Sequence, residues 1–224
     1  MTTTAPSRPI RVLIVDDDAL VRSALGLMLG GQSDLVLVGE AGDGAEALSV
    51  AKRERPDVVL MDIRMPVMNG LEATKAMLLL PRAPSVIVMT TFNGDDYVVE
   101  AVAAGADGFL VKDTPALEII QAIRKVADGE AMLSPSVTRA VLEQMRQTQV
   151  PDRAAHAEGR LAILTRRERE VAICVGRGLS NADIAGELFL SVPTVKAHVS
   201  RLFDKLETTN RVQIAMVVHD AGLV

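Results

Sequence analysis

The chain has 224 residues, 49% of them apolar and 2% aromatic, with 24 Lys/Arg against 29 Asp/Glu and a formal net charge of −5. That length allows one large domain or two small ones, and the apolar share supplies a sizeable core filled by Val, Leu, Ile, Ala and Met. A single cysteine, Cys174, excludes an internal disulfide; Met1–Ile10 lacks the apolar core of a signal peptide, and no apolar run approaches the roughly 18 residues of a membrane span, so a cytoplasmic protein with no membrane partner is expected. The charge is uneven. Residues 1–150 carry 14 Lys/Arg against 20 Asp/Glu, and residues 151–224 carry 10 against 9, which suggests two modules with different partners.

In chain order, Val12-Leu13-Ile14-Val15 reads as a buried strand ending in Asp16-Asp17-Asp18. Ala19–Leu29 has Leu20, Ala24, Leu27 and Met28 at helical spacing, and Gly30-Gly31 stop it. Leu35–Val38 is a second strand. Gly44–Arg55 is a helix with Ala47, Leu48 and Ala51 facing in, ended by Pro56. Val58–Met61 is a third strand that runs into Asp62 before Pro66 and Gly70 break the chain. A helix over Leu71–Leu80, a strand over Ser85–Thr90, a helix over Asp95–Ala104 and a strand over Gly108–Val111 follow. Pro115 is expected at the first position of a last helix closed by Gly129.

Five β-α units in a row predict an α/β flavodoxin-like fold, a five-stranded parallel sheet of order 2-1-3-4-5 with helices on both faces. That order makes strands 1 and 3 neighbours. Asp16, Asp17 and Asp62 then converge at the carboxyl edge of the sheet, where ligands bind in such folds, and Thr90 and Lys112 arrive at the same edge from strands 4 and 5. Three close carboxylates require a cation or shifted pKa values, and hard oxygen ligands at a partly open site suit Mg²⁺. A carboxylate nucleophile, Mg²⁺, a lysine and a hydroxyl form a set for in-line phosphoryl transfer onto Asp62.

Val12–Asp17, Val58–Gly70, Val86–Thr90 and Gly105–Lys112 resemble the receiver domain of two-component response regulators, over about residues 10–130. The resemblance implies that Asp62 is the phosphoacceptor, that Asp16, Asp17 and the backbone carbonyl of Arg64 join Asp62 in holding Mg²⁺, and that Thr90 and Lys112 contact the phosphoryl group. It implies too that Phe109 switches its burial as Thr90 shifts. Asp18 is peripheral.

Residues 131–160 read as a helix, Ser134–Arg146, and a flexible tether, Gln147–Gly159, with no metal site at His156. Residues 161–224 read as a small all-α helix-turn-helix domain. Thr165-Arg166-Arg167-Glu168 is a capping box, Ser180 starts a short helix to about Leu188, Ser191 caps the next with Pro193 in its first turn, and Asn210 caps the last, to about Ala221. Cys174 falls in an apolar helical run and reads as a small buried hydrophobe. In the helix after Ser191, Val195, Val199, Leu202 and Leu206 form the buried stripe; Ala197, Ser200, Arg201 and Asp204 project outward with Lys196 and His198 on the flanks. By periodicity that face suits a DNA major groove or the solvated face of a helical bundle equally well.

Leu164–Ala172, Gly178–Ala185 and Ser191–Arg201 resemble the LuxR-type DNA-binding domain, and the whole chain resembles a NarL/LuxR-type response regulator. By that resemblance Thr194, Lys196, His198 and Arg201 touch DNA, Ala197 and Ser200 lie at the groove floor, and Val212, Ala215, Met216 and His219 belong to a dimerisation helix. The implied protein is a non-enzymatic transcription regulator switched by phosphorylation of Asp62. Its implied partners are a sensor histidine kinase, promoter half-sites on double-stranded DNA, and a second copy of itself when phosphorylated. Two alternatives are a regulator that ignores phosphate and a haloacid-dehalogenase-like phosphatase; the latter is disfavoured by Arg64, where such enzymes carry a second acid.

Overall fold

The structure is a computed structural model and describes residues 8–90, 95–133 and 153–224. The expected helix Ser134–Arg146 and the first part of the expected tether lie outside the described residues. The chain divides into two compact units, one of residues 1–93 with 108–128 and one of residues 94–107 with 129–224.

The first unit contains five parallel strands, β1 (Ile10–Val15), β2 (Leu35–Ala41), β3 (Val58–Asp62), β4 (Ser85–Thr90) and β5 (Gly108–Val111), in the order β2-β1-β3-β4-β5. Its helices are α1 (Ala19–Gly30), α2 (Gly44–Glu54), α3 (Gly70–Leu78) and α5 (Ala116–Ala127), whereas α4 (Asp95–Ala104) is grouped with the second unit. The apolar runs become strands because both sheet faces are covered: Val12, Leu13, Ile14, Val58, Val59, Met61, Val86, Ile87 and Val88 are all fully buried. β1 pairs with β3 in the register Val12↔Val58 to Val15↔Met61, so the residues after Val15 and Met61 emerge side by side. β4 pairs with β5 as far as Thr90↔Val111.

In the first unit four expectations are corrected. In α1 the core takes Leu25 and Leu29, while Leu20 and Leu27 are 79% and 82% exposed. The helix is apolar at almost every position, so spacing alone does not choose a face; Arg22 does, by donating to Asp16 O at 2.7 Å and to Glu40 at 3.3 Å. In α2, Val50 is buried with Ala47 and Ala51, and Leu48 is only half-buried. β2 runs on to Ala41, past the Gly39-Glu40 pair that ends its apolar run. A Cβ on Gly39 would stand 2.7 Å from the Val50 side chain, so α2 packs directly on bare strand backbone there. Pro115 is the N-cap of α5 rather than its first helical residue, with ψ 142 and no side-chain cap.

In the second unit, β6 (Met132–Leu133) follows α5, and Met132 N–H donates to Asp107 O at 3.1 Å. Among the described residues five helices follow: α6 (Arg153–Ala162), α7 (Arg166–Gly176), α8 (Asn181–Glu187), α9 (Val192–Leu206) and α10 (Arg211–Asp220). α6 corrects the tether reading over 153–159: Ala157 and Leu161, at i and i+4, are buried in the helical core. That core joins Val171, Ala172, Cys174 and Val175 of α7, Ile184 and Ala185 of α8, the Val195, Val199, Leu202 and Leu206 stripe of α9, and Ile214, Val217 and Val218 of α10.

Candidate phosphoacceptor site and DNA-reading helix

The acidic site is assembled by strand ends. Asp16 and Asp62 are 2% and 6% exposed; Asp17 faces solvent. One ligand oxygen from each of the three lies within 4.8 Å of those of the others. Lys112, just beyond β5, places Nζ 2.6 Å from Asp16 Oδ2 and 3.1 Å from Asp62 Oδ2. Its own N–H donates to Thr90 O at 2.7 Å, which ties the ends of β4 and β5 together at the site. Thr90 is buried, and Phe109 is turned fully inward.

Burial pushes the Asp62 carboxyl up from its ordinary value; the Lys112 ammonium opposes that rise and the Asp16 charge adds to it. Burial alone would lower Lys112, but its hydrogen bonds to Asp16 and Asp62 outweigh this and hold the ammonium above its usual range. Three carboxylates facing one ammonium remain short of positive charge, and their hard oxygen donors suit a divalent cation.

Sequence reasoning missed three supports of this site. Asp18 is the N-cap of α1, its Oδ1 accepting from Leu20 N–H at 2.8 Å, and its own N–H donates to Asp16 Oδ1 at 3.0 Å. Arg22 holds the Asp16 carbonyl from one turn into α1. Gly70 lets the loop after β3 close: its N–H donates to Ile63 O at 3.0 Å, and a Cβ there would lie 1.9 Å from Asp62 O. The Asp-x-x-x-Pro-x-x-x-Gly spacing carried that last signal. The loop itself presents Arg64, exposed.

In the helical unit, local capping aims α9. Ser191 Oγ accepts from Thr194 N–H at 3.3 Å, and Pro193 in the first turn needs no donor. With Val195, Val199, Leu202 and Leu206 buried, Thr194, Ala197, Ser200 and Arg201 face solvent and Lys196 and His198 are partly exposed. Two ties fix the helix. Glu168, the capping-box acid of α7, accepts from Thr165 N–H at 2.8 Å, from Thr165 Oγ1 at 2.7 Å and from Lys205 Nζ at 2.7 Å. The Lys205 bond leads the causes that hold the Glu168 carboxyl down at about 2. On the neighbouring side Arg211, largely buried, donates to Asn181 Oδ1 at 2.8 Å and to the Leu179 carbonyl. Neither tie was expected from sequence, because each joins residues 30 or more positions apart. Val212 of α10 is buried, while Ala215 and Met216 are half-buried and His219 is exposed.

Residues 12–124 match the response regulator receiver domain, and residues 162–218 match the bacterial regulatory proteins of the luxR family. The uncharacterized transcriptional regulatory protein YxjL of Bacillus subtilis (strain 168) is 39% identical over 216 residues, 96% of this chain and 97% of that protein. The chain belongs to the NarL/LuxR-type response regulators. The transcriptional regulatory protein LiaR of the same organism is also 39% identical, over 96% of this chain and 99% of its own. Among solved structures, the response regulator ChrA of a heme-sensing two-component system is 30% identical with a TM-score of 0.53, covering 97% of this chain and 100% of that one. The receiver domain of the putative response regulator NarL from Mycobacterium tuberculosis is 35% identical with a TM-score of 0.54, over 55% of this chain and 100% of that one. This response regulator is therefore a two-component, DNA-binding transcription regulator, and its partners are a sensor kinase and DNA. No helix among the described residues is long and apolar enough to cross a membrane.

Proposed function

We propose that Asp62 accepts the phosphoryl group from a sensor histidine kinase, and that the modification switches DNA binding by α9. The observation that carries this reading is the placement of Lys112 Nζ between Asp16 and Asp62, beside three carboxylates whose ligand atoms share one small volume. An Asp62 carboxylate oxygen forms the new P–O bond as the bond from phosphorus to the donor nitrogen breaks, and Lys112 stays beside the incoming oxygens as a fixed positive charge. Asp16, Asp17, Asp62 and the Arg64 backbone carbonyl would hold Mg²⁺. When bound, Mg²⁺ supplies neutralisation of the phosphoryl oxygens. Thr90 offers its hydroxyl to the new oxygens, and Phe109, three residues before Lys112 on β5, is the residue whose burial follows.

The receiver spans 10–130 and the DNA-binding domain 161–224 in this reading. Thr194, Lys196, His198 and Arg201 contact the DNA, Ala197 and Ser200 approach the groove floor, and the phosphorylated protein pairs as a homodimer on two half-sites.

Incubation with acetyl phosphate and Mg²⁺, followed by intact-mass measurement, tests the acceptor. The expected result is one phosphoryl adduct on the wild type and none on Asp62→Asn. An adduct on Asp62→Asn, or none on the wild type with any donor including partner kinases, contradicts the assignment.

A further inference from the structure

Phe189 occupies a position that suits almost any small or polar residue better. α8 ends in a paired closure: Phe189 N–H donates to Gly186 O at 3.4 Å, and Leu190 N–H to Ala185 O at 2.9 Å. Such a closure turns on one left-handed residue, ordinarily Gly or Asn, because a side chain there crowds the following carbonyl. Here that residue is Phe189, with φ 53. Arg55 and Glu207 adopt the same conformation after α2 and α9, but their side chains are charged. The Phe189 ring is 94% exposed, so packing within the chain does not compensate the backbone strain. The chain has only four phenylalanines, and Phe109 lies fully inside the core. A strained residue held without internal packing points to function.

Its location narrows what it meets. Phe189 stands two residues before Ser191, the N-cap of α9, and the N-terminal end of the second helix is the part of a helix-turn-helix that approaches base edges. Val192 at 37% exposure, Pro193 and Ala197 are further exposed apolar residues at the start of α9, with Lys196 and Arg201 on the same helix. In the major groove the apolar feature of a base edge is the thymine C5-methyl group.

We propose that Phe189 packs its ring on a thymine methyl at the edge of each half-site, adding a specificity contact outside α9. This rests on the reading of α9 as the DNA-reading helix. The test uses the full chain, treated with acetyl phosphate, and a duplex selected by it from a randomised pool. Wild type, Phe189→Asn and Lys196→Ala are compared for thermal stability and affinity. Asn accepts the left-handed conformation, so Phe189→Asn keeps the closure.

The expected result is unchanged or raised stability with about three- to tenfold weaker binding to the selected duplex, the size of one lost apolar contact. Replacing one thymine of each half-site by deoxyuridine then weakens the wild type by a similar factor and leaves Phe189→Asn unaffected. Equal losses for Phe189→Asn on thymine and uracil duplexes overturn the methyl contact, and a marked loss of stability overturns the functional reading of the ring. If Lys196→Ala weakens binding while Phe189→Asn does not, the inference fails and the α9 reading stands, leaving the ring to a protein partner. If neither substitution alters binding, the α9 reading itself falls.

Discussion

Glu168 shows how one side chain can hold a reading element in place. Its carboxylate caps α7 through Thr165 and reaches Lys205 near the end of α9, so charge and cap meet on one group. Its carboxyl is held at about 2 against an ordinary 4.5. A depressed folded-state value means that the stabilisation is complete above about pH 4.5 and is lost as the pH falls through about 2. Glu168→Gln is expected to lower stability near neutral pH by about 1 kcal/mol. The difference from wild type should shrink as the pH is lowered from about 6 towards 3, and a gap constant with pH, followed by thermal unfolding, would contradict this. Gly70 makes a sharper demand. A Cβ at 1.9 Å from Asp62 O cannot be accommodated without moving the loop, so Gly70→Ala should lose about 2 kcal/mol or more and slow phosphoryl uptake, read by urea unfolding and intact mass. The five residues of the acidic site were legible in the sequence because each ends a strand whose order was fixed by alternation. Arg22, Asp18 and the Arg211–Asn181 bond were not, since their roles depend on where side chains meet and leave no period in the sequence.

At the scale of elements, most boundaries were legible because Gly, Pro and capping residues mark them. Thr165, Ser180, Ser191 and Asn210 all cap the helices that follow them. Faces were legible only where polar residues interrupt the apolar ones. α9 alternates charges with its stripe, and every residue of the expected stripe is buried. α1 carries almost no polar residues, and its expected face turned outward. Leu29→Ala should therefore lose about 2–4 kcal/mol, whereas Leu27→Ala should stay within about 0.5 kcal/mol of wild type. Urea unfolding of the two variants checks this, and equal losses would mean that α1 is rotated from the face described. α6 was missed for a different reason. Its sequence, Arg-Ala-Ala-His-Ala-Glu-Gly-Arg-Leu-Ala, is small and polar, and only burial of Ala157 and Leu161 against the helical core gives it an inward side.

Over the whole molecule, two modules of different chemistry share one chain: an acidic strand-edge site, proposed to take a phosphoryl group, and a helical unit, proposed to present α9 to DNA. The flavodoxin-like order was legible from β-α alternation together with the size of the unit, while the proposed DNA-reading role of α9 rests on resemblance, since a solvated bundle face has the same periodicity. The account joins the modules by one claim, that phosphate on Asp62 raises the affinity of the helical unit for DNA. The most direct test is the affinity of the full chain for its selected duplex at fixed salt, with and without acetyl phosphate and Mg²⁺, alongside Asp62→Asn. The account predicts tighter binding on treatment of the wild type, by about tenfold or more for a coupling of typical size, and no response from Asp62→Asn. Equal affinity of the phosphorylated wild type and Asp62→Asn would contradict it.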